Sequence, residues 1–188
     1  MTEFAPEQRR AVFLDRDGVL NEPVVVDGRP VPPDSLTDLV LTPGVEEACE
    51  ELRSAGFLLI LVTNQPDLAR GTRDRATVDA INDELRRRLD LDDVLVCPHD
   101  DADRCMCRKP RPGLIHAAAR RWHVDLPASV MVGDRWRDIE AGRGAGCRTI
   151  LLERPYAERP ATGADLVTGT LREAVIWIVG DSSPGDDG

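Results

Sequence analysis

The sequence lacks an apolar run of transmembrane length, a basic-then-apolar leader and any excess of positive charge. Without such a run no membrane span is predicted, and without the leader the expected location is the cytosol. The formal net charge of −10 argues against nucleic acid or an anionic membrane as a partner. The length predicts a single domain over residues 1–180, expected to be a monomer, and residues 181–188 are expected to form a disordered tail.

Lysine is almost absent, since Lys109 is the only one in the chain against 23 arginines. Every other basic position uses a planar guanidinium, so a compact ammonium group is expected to be needed at this one. The alternative is chance survival of one lysine in an arginine-biased composition. Lys109 stands within a local basic cluster, Arg108-Lys109-Pro110-Arg111. A negative protein with local positive charge is compatible with a phosphorylated substrate.

The five cysteines predict no disulfide framework in a chain without a secretion signal. Three of them, Cys97, Cys105 and Cys107, lie close to His99 in the sequence. Three thiolates and one imidazole suit tetrahedral Zn²⁺, and four protein ligands make a structural site with no open position for water. The alternative is a loop of reduced thiols. The predicted zinc loop, residues 97–107, leads directly into Arg108-Lys109-Pro110, so the metal is expected to hold that segment in place.

Short apolar runs alternate with amphipathic helical segments along the chain. The candidate strands are Ala11–Leu14, Leu58–Val62, Val94–Cys97, Ser129–Val132, Thr149–Leu152 and, more weakly, Ala164–Val167. This alternation predicts an α/β fold with a Rossmann-like, doubly wound, mostly parallel sheet and helices on both faces. Residues 22–43 have no helical period and are predicted to form a long loop or a small flap. No segment is long enough for a large cap domain.

The end of the first predicted strand carries two carboxylates. Asp15 and Asp17 follow Ala11–Leu14 directly, and residues i and i+2 of a strand point to the same side. Two carboxylates forced together need a cation or a shared proton. The arrangement suits a nucleophile, a general acid/base and a divalent metal. An ordinary Asp turn after a strand is the alternative.

Three further groups of polar residues are predicted to lie at the ends of strands. Thr63-Asn64-Gln65 follows the second apolar run and offers a hydroxyl and backbone N–H groups to phosphate oxygens. Arg108-Lys109-Pro110 supplies cations. Gly133-Asp134-Arg135, with Asp138 one turn on, adds a third carboxylate to a hard-cation site suited to Mg²⁺.

These four groups resemble the four motifs of the haloacid dehalogenase (HAD) superfamily of phosphatases. The resemblance implies that Asp15 attacks phosphorus to form an aspartyl-phosphate and that Asp17 acts as the acid and base. It also implies that Asp15, the Asp17 backbone carbonyl and Asp134 hold Mg²⁺. Thr63 and Lys109 are implied to steady the transferring phosphoryl group. An acid at position 17 fits a phosphatase better than a dehalogenase, because only the former has an alkoxide to protonate.

Within that superfamily, the zinc loop and the segment Phe13–Asn21 resemble the heptose 1,7-bisphosphate 7-phosphatase family. The resemblance implies a small phosphorylated sugar as substrate, with Asn64, Arg108 and Arg135 as substrate-binding residues. Histidinol-phosphate phosphatases share the same zinc loop, so they and other small phosphomonoesterases remain the alternative. Residues 22–43 depart from the heptose enzymes' pattern around the substrate. A non-catalytic, zinc-stapled binding module is the alternative of another class.

Overall fold

The computed structural model describes residues 8–180, so the predicted tail at 181–188 lies outside the described residues. Six parallel strands form one sheet: β1 (Ala11–Leu14), β4 (Leu58–Asn64), β5 (Asp93–Cys97), β6 (Val130–Gly133), β7 (Arg148–Leu152) and β8 (Leu166–Thr168). Their spatial order is β5-β4-β1-β6-β7-β8. A separate antiparallel hairpin consists of β2 (Val24–Val26) and β3 (Arg29–Val31). The predicted parallel sheet is therefore confirmed, with strand ends shifted by no more than two residues.

Within the described residues, six α-helices lie between or after these strands: α1 (Val45–Ser54), α2 (Asp67–Arg70), α3 (Arg75–Leu89), α4 (Gly113–Trp122), α5 (Trp136–Ala145) and α6 (Leu171–Gly180). Short 3-10 helices lie at Leu36–Asp38 and Asp101–Asp103. None of the helices within residues 8–180 has the length and apolarity needed to cross a bilayer.

The sheet separates two apolar layers because successive side chains of a strand point to opposite faces. Val12 and Leu14 of β1 pack with residues of α1, α3 and α6 on one face. Ala11 and Phe13 pack with residues of α4 and α5 on the other. All four side chains are fully buried, so β1 is a central strand and its carboxyl end is held rigidly.

Residues 22–43 were predicted to form either a long loop or a small flap. They contain the β2–β3 hairpin, which is called the flap from here on. Asp27 and Gly28 form its two-residue turn, both with positive φ, and this conformation matches the twist of paired strands. The Asp27-Gly28 pair, which directly follows three valines, is the sequence signal for this turn. The hairpin lies near the carboxyl edge of the sheet, since its Pro30 lines the cleft there together with Asp15.

Two glycines of α5 make a direct test of how this helix packs. A Cβ added to Gly142 would lie 2.6 Å from both the Met131 Cβ and the Thr149 Cγ2, whereas one added to Gly144 would meet nothing nearer than 3.7 Å. We expect Gly142→Ala to destabilise the protein by about 1–3 kcal/mol through overpacking. Gly144→Ala is expected to stabilise it by about 0.5–1 kcal/mol through helix propensity. Urea unfolding of both variants measures this, and equal effects would contradict the packing.

Candidate active site

The carboxyl edge of the sheet gathers the polar groups that follow the central strands. Because all six strands are parallel, the segments after β1, β4 and β6 meet at one edge. Asp15, Thr63, Lys109 and Asp138 line a cleft of about 50 Å³ there. Asp17, Asn64, Arg135 and Arg137 line it as well. The four sequence motifs are thus brought together in one place.

Lys109 lies at the centre of the cleft with only 2% of its surface exposed. Its ammonium lies 2.7 Å from Asp15 Oδ1 and 2.6 Å from Asp138 Oδ1, and it donates to the Val62 carbonyl at 2.8 Å. Three donors therefore meet three acceptors. Burial by itself lowers the pKa of Lys109, but Asp138 and Asp15 more than offset it, and the pKa is raised. The ammonium stays charged.

Asn64 holds the backbone of Lys109 from the end of β4. Its side-chain oxygen accepts from the Lys109 N–H and its amide nitrogen donates to the Lys109 carbonyl, both at 3.0 Å. The sequence assigned Asn64 to substrate contact, and the residue does line the cleft. Its hydrogen bonds, however, are directed to the lysine that follows the cysteine-rich loop.

Three carboxylates form a candidate cation site beside this lysine. Oxygen atoms of Asp15, Asp134 and Asp138 lie within 4.8 Å of one another, and all three residues are buried. The Asp134 Oδ1 atom is buried without a hydrogen-bond partner among the described residues. Hard oxygen donors and an unpartnered carboxylate oxygen fit a divalent cation such as Mg²⁺. The Asp17 carboxylate is not a member of this cluster, and the sequence had assigned its backbone carbonyl instead.

Burial and mutual repulsion shift the proton affinity of these carboxylates. Burial is the main cause that raises the pKa of Asp15 to about 6, with Lys109 opposing and Asp138 adding to the rise. Burial and the neighbouring Asp15 raise the pKa of Asp134 well above its usual range, with the Tyr156 hydrogen bond opposing. Without a cation, Asp15 and Asp134 therefore hold their protons to a higher pH than a free aspartate does.

Asp17 is held by donors from three neighbours. The Arg16 guanidinium donates at 3.0–3.3 Å, Asn21 Nδ2 at 3.0 Å and Gln65 Nε2 at 3.2 Å. Gln65 also donates to the Thr63 hydroxyl oxygen at 3.0 Å, which leaves the hydroxyl proton of Thr63 free to be donated elsewhere.

Arg16 is fully buried, which is exceptional for an arginine. Besides Asp17, it contacts Asn82 Oδ1 of α3 at 3.2 Å. The sequence predicted no role for the side chains of Arg16, Asn21, Gln65 or Asn82. Arg16 stands between the two motif aspartates, but nothing in the sequence points to Asn82 as its partner.

A groove of about 630 Å³ opens beside the cleft and shares Pro30, Asn64, Arg135 and Arg137 with it. Six arginines and three carboxylic acids line the groove: Arg29, Arg70, Arg108, Arg135, Arg137 and Arg159, with Asp67, Asp101 and Glu158. The lining is therefore positive in a protein that is negative as a whole.

The predicted substrate residues Arg108 and Arg135 both line this groove, and each is paired with an acid. The Arg108 Nε atom donates to Asp101 Oδ1 at 2.8 Å. The Arg135 Nε atom donates to Glu158 Oε2 at 2.8 Å, and a second contact joins Arg135 Nη2 to Glu158 Oε1. The sequence did not predict a role for Glu158, because this residue lies in an irregular segment after β7.

The second predicted site is the cysteine-rich loop. Neighbouring Sγ and Nδ1 atoms of Cys97, His99, Cys105 and Cys107 lie 3.3–3.6 Å apart. These separations exclude disulfides, whose S–S bond is about 2.05 Å. They approach the ligand–ligand edge of about 3.8 Å expected of a tetrahedron with Zn–S bonds of about 2.3 Å. The described ligand set therefore fits Zn²⁺.

A parallel α/β sheet with a buried lysine between carboxylates at its carboxyl edge defines a hydrolase of the HAD class. A HAD-hydrolase-like family model matches residues 106–174. The D-glycero-beta-D-manno-heptose-1,7-bisphosphate 7-phosphatase of Bordetella bronchiseptica is 37% identical over 166 residues, covering 86% of this chain and 90% of the relative. The D-glycero-D-manno-heptose-1,7-bisphosphate 7-phosphatase of Thermosynechococcus vestitus is 37% identical over 199 residues. This match covers 94% of this chain and 98% of the relative.

A solved structure gives the same result. The crystal structure of D,D-heptose 1,7-bisphosphate phosphatase from B. bronchiseptica, complexed with magnesium and phosphate, superposes with a TM-score of 0.80. It is 33% identical and covers 92% of this chain and 99% of its own. The chain belongs to the heptose 1,7-bisphosphate 7-phosphatase family of HAD-like phosphoric monoester hydrolases.

Because the pKa values of Asp15 and Asp134 are raised, we expect the free energy of unfolding to depend on pH when no divalent metal is added. An acid whose pKa is raised on folding stabilises below its unfolded pKa, and that stability is lost as pH rises through the folded value. For Asp15 this window runs from about 4 to about 6, and for Asp134 it extends higher. We therefore expect Asp134→Asn, which removes one charge, to be more stable than the wild type at pH 7 and to lose this advantage toward pH 5. Urea unfolding at both pH values measures the difference, and a constant difference would contradict it.

Proposed function

We propose that this protein is a Mg²⁺-dependent phosphatase that removes the 7-phosphate of a heptose 1,7-bisphosphate through an aspartyl-phosphate on Asp15. The observation that supports this most directly is the buried cluster of Asp15, Asp134, Asp138 and Lys109 in a cleft at the sheet edge. The names of the relatives support the substrate. We further propose that the enzyme works as a cytosolic monomer, and the five free cysteines suit a reducing compartment.

Asp15 is the proposed nucleophile. A carboxylate oxygen of Asp15 attacks phosphorus while the bond between phosphorus and the sugar oxygen breaks. Lys109 contacts Asp15 Oδ1, so it favours the ionised form and holds the carboxylate in one orientation. Asp138 contacts the other side of the ammonium and keeps Lys109 in place. The Thr63 hydroxyl proton is free to bind an oxygen of the phosphoryl group.

Asp17 is the proposed general acid and base. It gives a proton to the leaving sugar alkoxide and then takes one from the water that hydrolyses the aspartyl-phosphate. General acid–base catalysis of this kind is worth about 10²–10⁴ in rate. Arg16, Asn21 and Gln65 fix the orientation of the Asp17 carboxylate, so the proton is transferred from a defined position.

Asp15, Asp134 and the Asp17 backbone carbonyl are the proposed holders of Mg²⁺, which when bound offsets negative charge on the carboxylates and the phosphoryl oxygens. The unpartnered Asp134 Oδ1 atom supports this assignment. Asp138 belongs to the same cluster, but its Oδ1 atom contacts Lys109 and its Oδ2 atom accepts from the Arg135 N–H. We therefore assign Asp138 to holding Lys109.

The groove favours a second phosphate over the histidinol alternative. Its six arginines outnumber its three acids, and Arg29 of the flap forms no ion pair with any residue in the described part of the chain. A sugar bisphosphate brings a second dianion to this positive surface, whereas histidinol phosphate brings an ammonium group. Arg108 and Arg135 are the proposed substrate contacts in the groove, with Asn64 at its junction with the cleft.

A substrate comparison tests this function. We expect Mg²⁺-dependent phosphate release with a kcat/KM for one heptose 1,7-bisphosphate anomer at least about tenfold above that for fructose 1,6-bisphosphate or histidinol phosphate. Asp15→Asn should lower kcat/KM by at least about 10³-fold while the protein stays folded. Asp79→Asn, on the exposed surface of α3, is the matched control and should leave it unchanged.

The panel also separates the alternatives. Preference for histidinol phosphate would reject the heptose substrate but would still support phosphate hydrolysis through Asp15. No phosphate release with Mg²⁺, Mn²⁺ or Co²⁺ would favour the non-catalytic binding module. Turnover retained in Asp15→Asn would exclude the nucleophile.

We propose that Cys97, His99, Cys105 and Cys107 hold a structural Zn²⁺. The Asn64 side chain and the thiol cluster flank the same short segment, so zinc is expected to position Lys109 from the loop side. Burial is the main cause that raises the pKa of the Cys97 thiol, and a bound cation would favour the thiolate instead.

Cys107→Ser tests this site. We expect about one zinc per chain in the wild type and well under half of that in the variant, with Tm lower by about 5 °C or more. Cys147→Ser, which changes a buried thiol outside the cluster, should keep its zinc. Elemental analysis and thermal unfolding measure both quantities, and unchanged zinc in Cys107→Ser would reject the assignment.

A further inference from the structure

The segment after β7, residues 153–159, crosses the active-site edge and is called the strap here. Its side chains alternate in exposure: Arg154, Tyr156 and Glu158 are partly buried, while Glu153, Pro155, Ala157 and Arg159 are exposed. The partly buried set therefore forms an inward face directed at the site.

Each inward residue contacts a different part of the site. Arg154 Nη2 donates to the Gly18 carbonyl at 3.1 Å, the Tyr156 hydroxyl donates to Asp134 Oδ2 at 2.7 Å, and Glu158 accepts from Arg135. The strap backbone also binds the flap, because the Ala157 N–H donates to the Gly28 carbonyl at 2.8 Å. The strap is therefore anchored on both sides of Tyr156.

The contact between Tyr156 and Asp134 leaves the carboxylate one orientation. Asp134 Oδ2 accepts from Tyr156, while Oδ1 is buried with no partner among the described residues. Gly18 closes the remaining side, because a Cβ there would lie 1.8 Å from Asp134 Oδ2 and 2.8 Å from the Tyr156 hydroxyl. Rotation of the carboxylate would break the hydrogen bond or place Oδ2 without a partner.

We propose that Tyr156 is a positioning residue that holds Asp134 with its Oδ1 atom available to Mg²⁺. The inference rests on the proposed function only in taking Mg²⁺ as the cation. A donor that binds one oxygen of a metal-ligating carboxylate fixes its orientation, and loss of such a partner typically costs 10–100-fold in metal affinity. Tyr156 acts through Asp134 and needs no contact with the substrate.

The single tyrosine of the chain allows a direct measurement. Protein labelled with ¹³Cζ-tyrosine gives one signal, that of Tyr156, and we expect this signal to shift saturably as Mg²⁺ is added. The midpoint should equal the Kd from isothermal titration calorimetry with Mg²⁺ alone. Asp134→Asn should remove the shift. An unmoved tyrosine signal in wild-type protein that binds Mg²⁺ would overturn the proposal, whether or not any variant folds.

Tyr156→Phe removes the hydroxyl and keeps the ring. We expect its Kd for Mg²⁺ to rise by about tenfold or more, with kcat largely restored at saturating Mg²⁺ and Tm close to that of the wild type. Arg159→Ala is the matched strap control, because Arg159 is anchored to Glu140 rather than Asp134, and its Kd should be unchanged. A Tyr156→Phe Kd within about twofold of the wild type would also overturn the proposal.

Failure of this inference and failure of the proposed function look different. Mg²⁺ binding coupled to the Tyr156 signal, without hydrolysis of any phosphomonoester, would support the positioning role and reject the phosphatase. Hydrolysis with normal Mg²⁺ affinity in Tyr156→Phe would do the reverse. No Mg²⁺ binding by the wild type would reject both.

Discussion

The ammonium of Lys109, buried between Asp15 and Asp138, is the interaction on which the site depends. Its three acceptors come from the end of β4, the segment after β1 and the first turn of α5. One cation therefore joins three elements at the sheet edge. Removing it would leave two buried carboxylates facing each other, which is far more costly than losing a surface ion pair. A guanidinium, with its planar fork, cannot direct three donors to acceptors around one nitrogen.

The position of Lys109 is itself set by its backbone. Asn64 binds its N–H and its carbonyl from one side, and Cys107 of the cysteine-rich loop lies two residues before it. Of its four candidate ligands, Cys97 is buried in the α4–α5 layer, whereas Cys105 and Cys107 pack against this layer from partly buried positions. A metal bound by the four ligands would supply the rigidity that packing does not. The cysteine-rich loop and the cleft are thus joined through one short segment.

The cleft is lined by residues of the sequence motifs, whereas the adjacent groove takes much of its lining from the flap and the strap. The buried groups, such as Thr63 and Lys109, line the cleft at the sheet edge. The arginine-rich groove, with residues of the flap and the strap in its lining, opens outside the cleft. The motifs therefore predict the reaction class, whereas the shape of the groove depends on contacts between the flap and the strap, as in the hydrogen bond between Ala157 and Gly28.

The sequence by itself determined the parallel sheet, the strand ends that carry Asp15, Thr63 and Asp134, and the Cys/His set of the cysteine-rich loop. Each of these follows from local rules, namely apolar periodicity, residue spacing and the common edge of parallel strands. Only the tertiary structure decided the partners: Arg16 with Asn82, Arg135 with Glu158, and Tyr156 with Asp134. These pairs join residues 22–66 positions apart, and one member of each pair, namely Arg16, Glu158 or Tyr156, lies in a segment without regular structure. The path of a loop depends on contacts across the whole fold, and no local spacing encodes it.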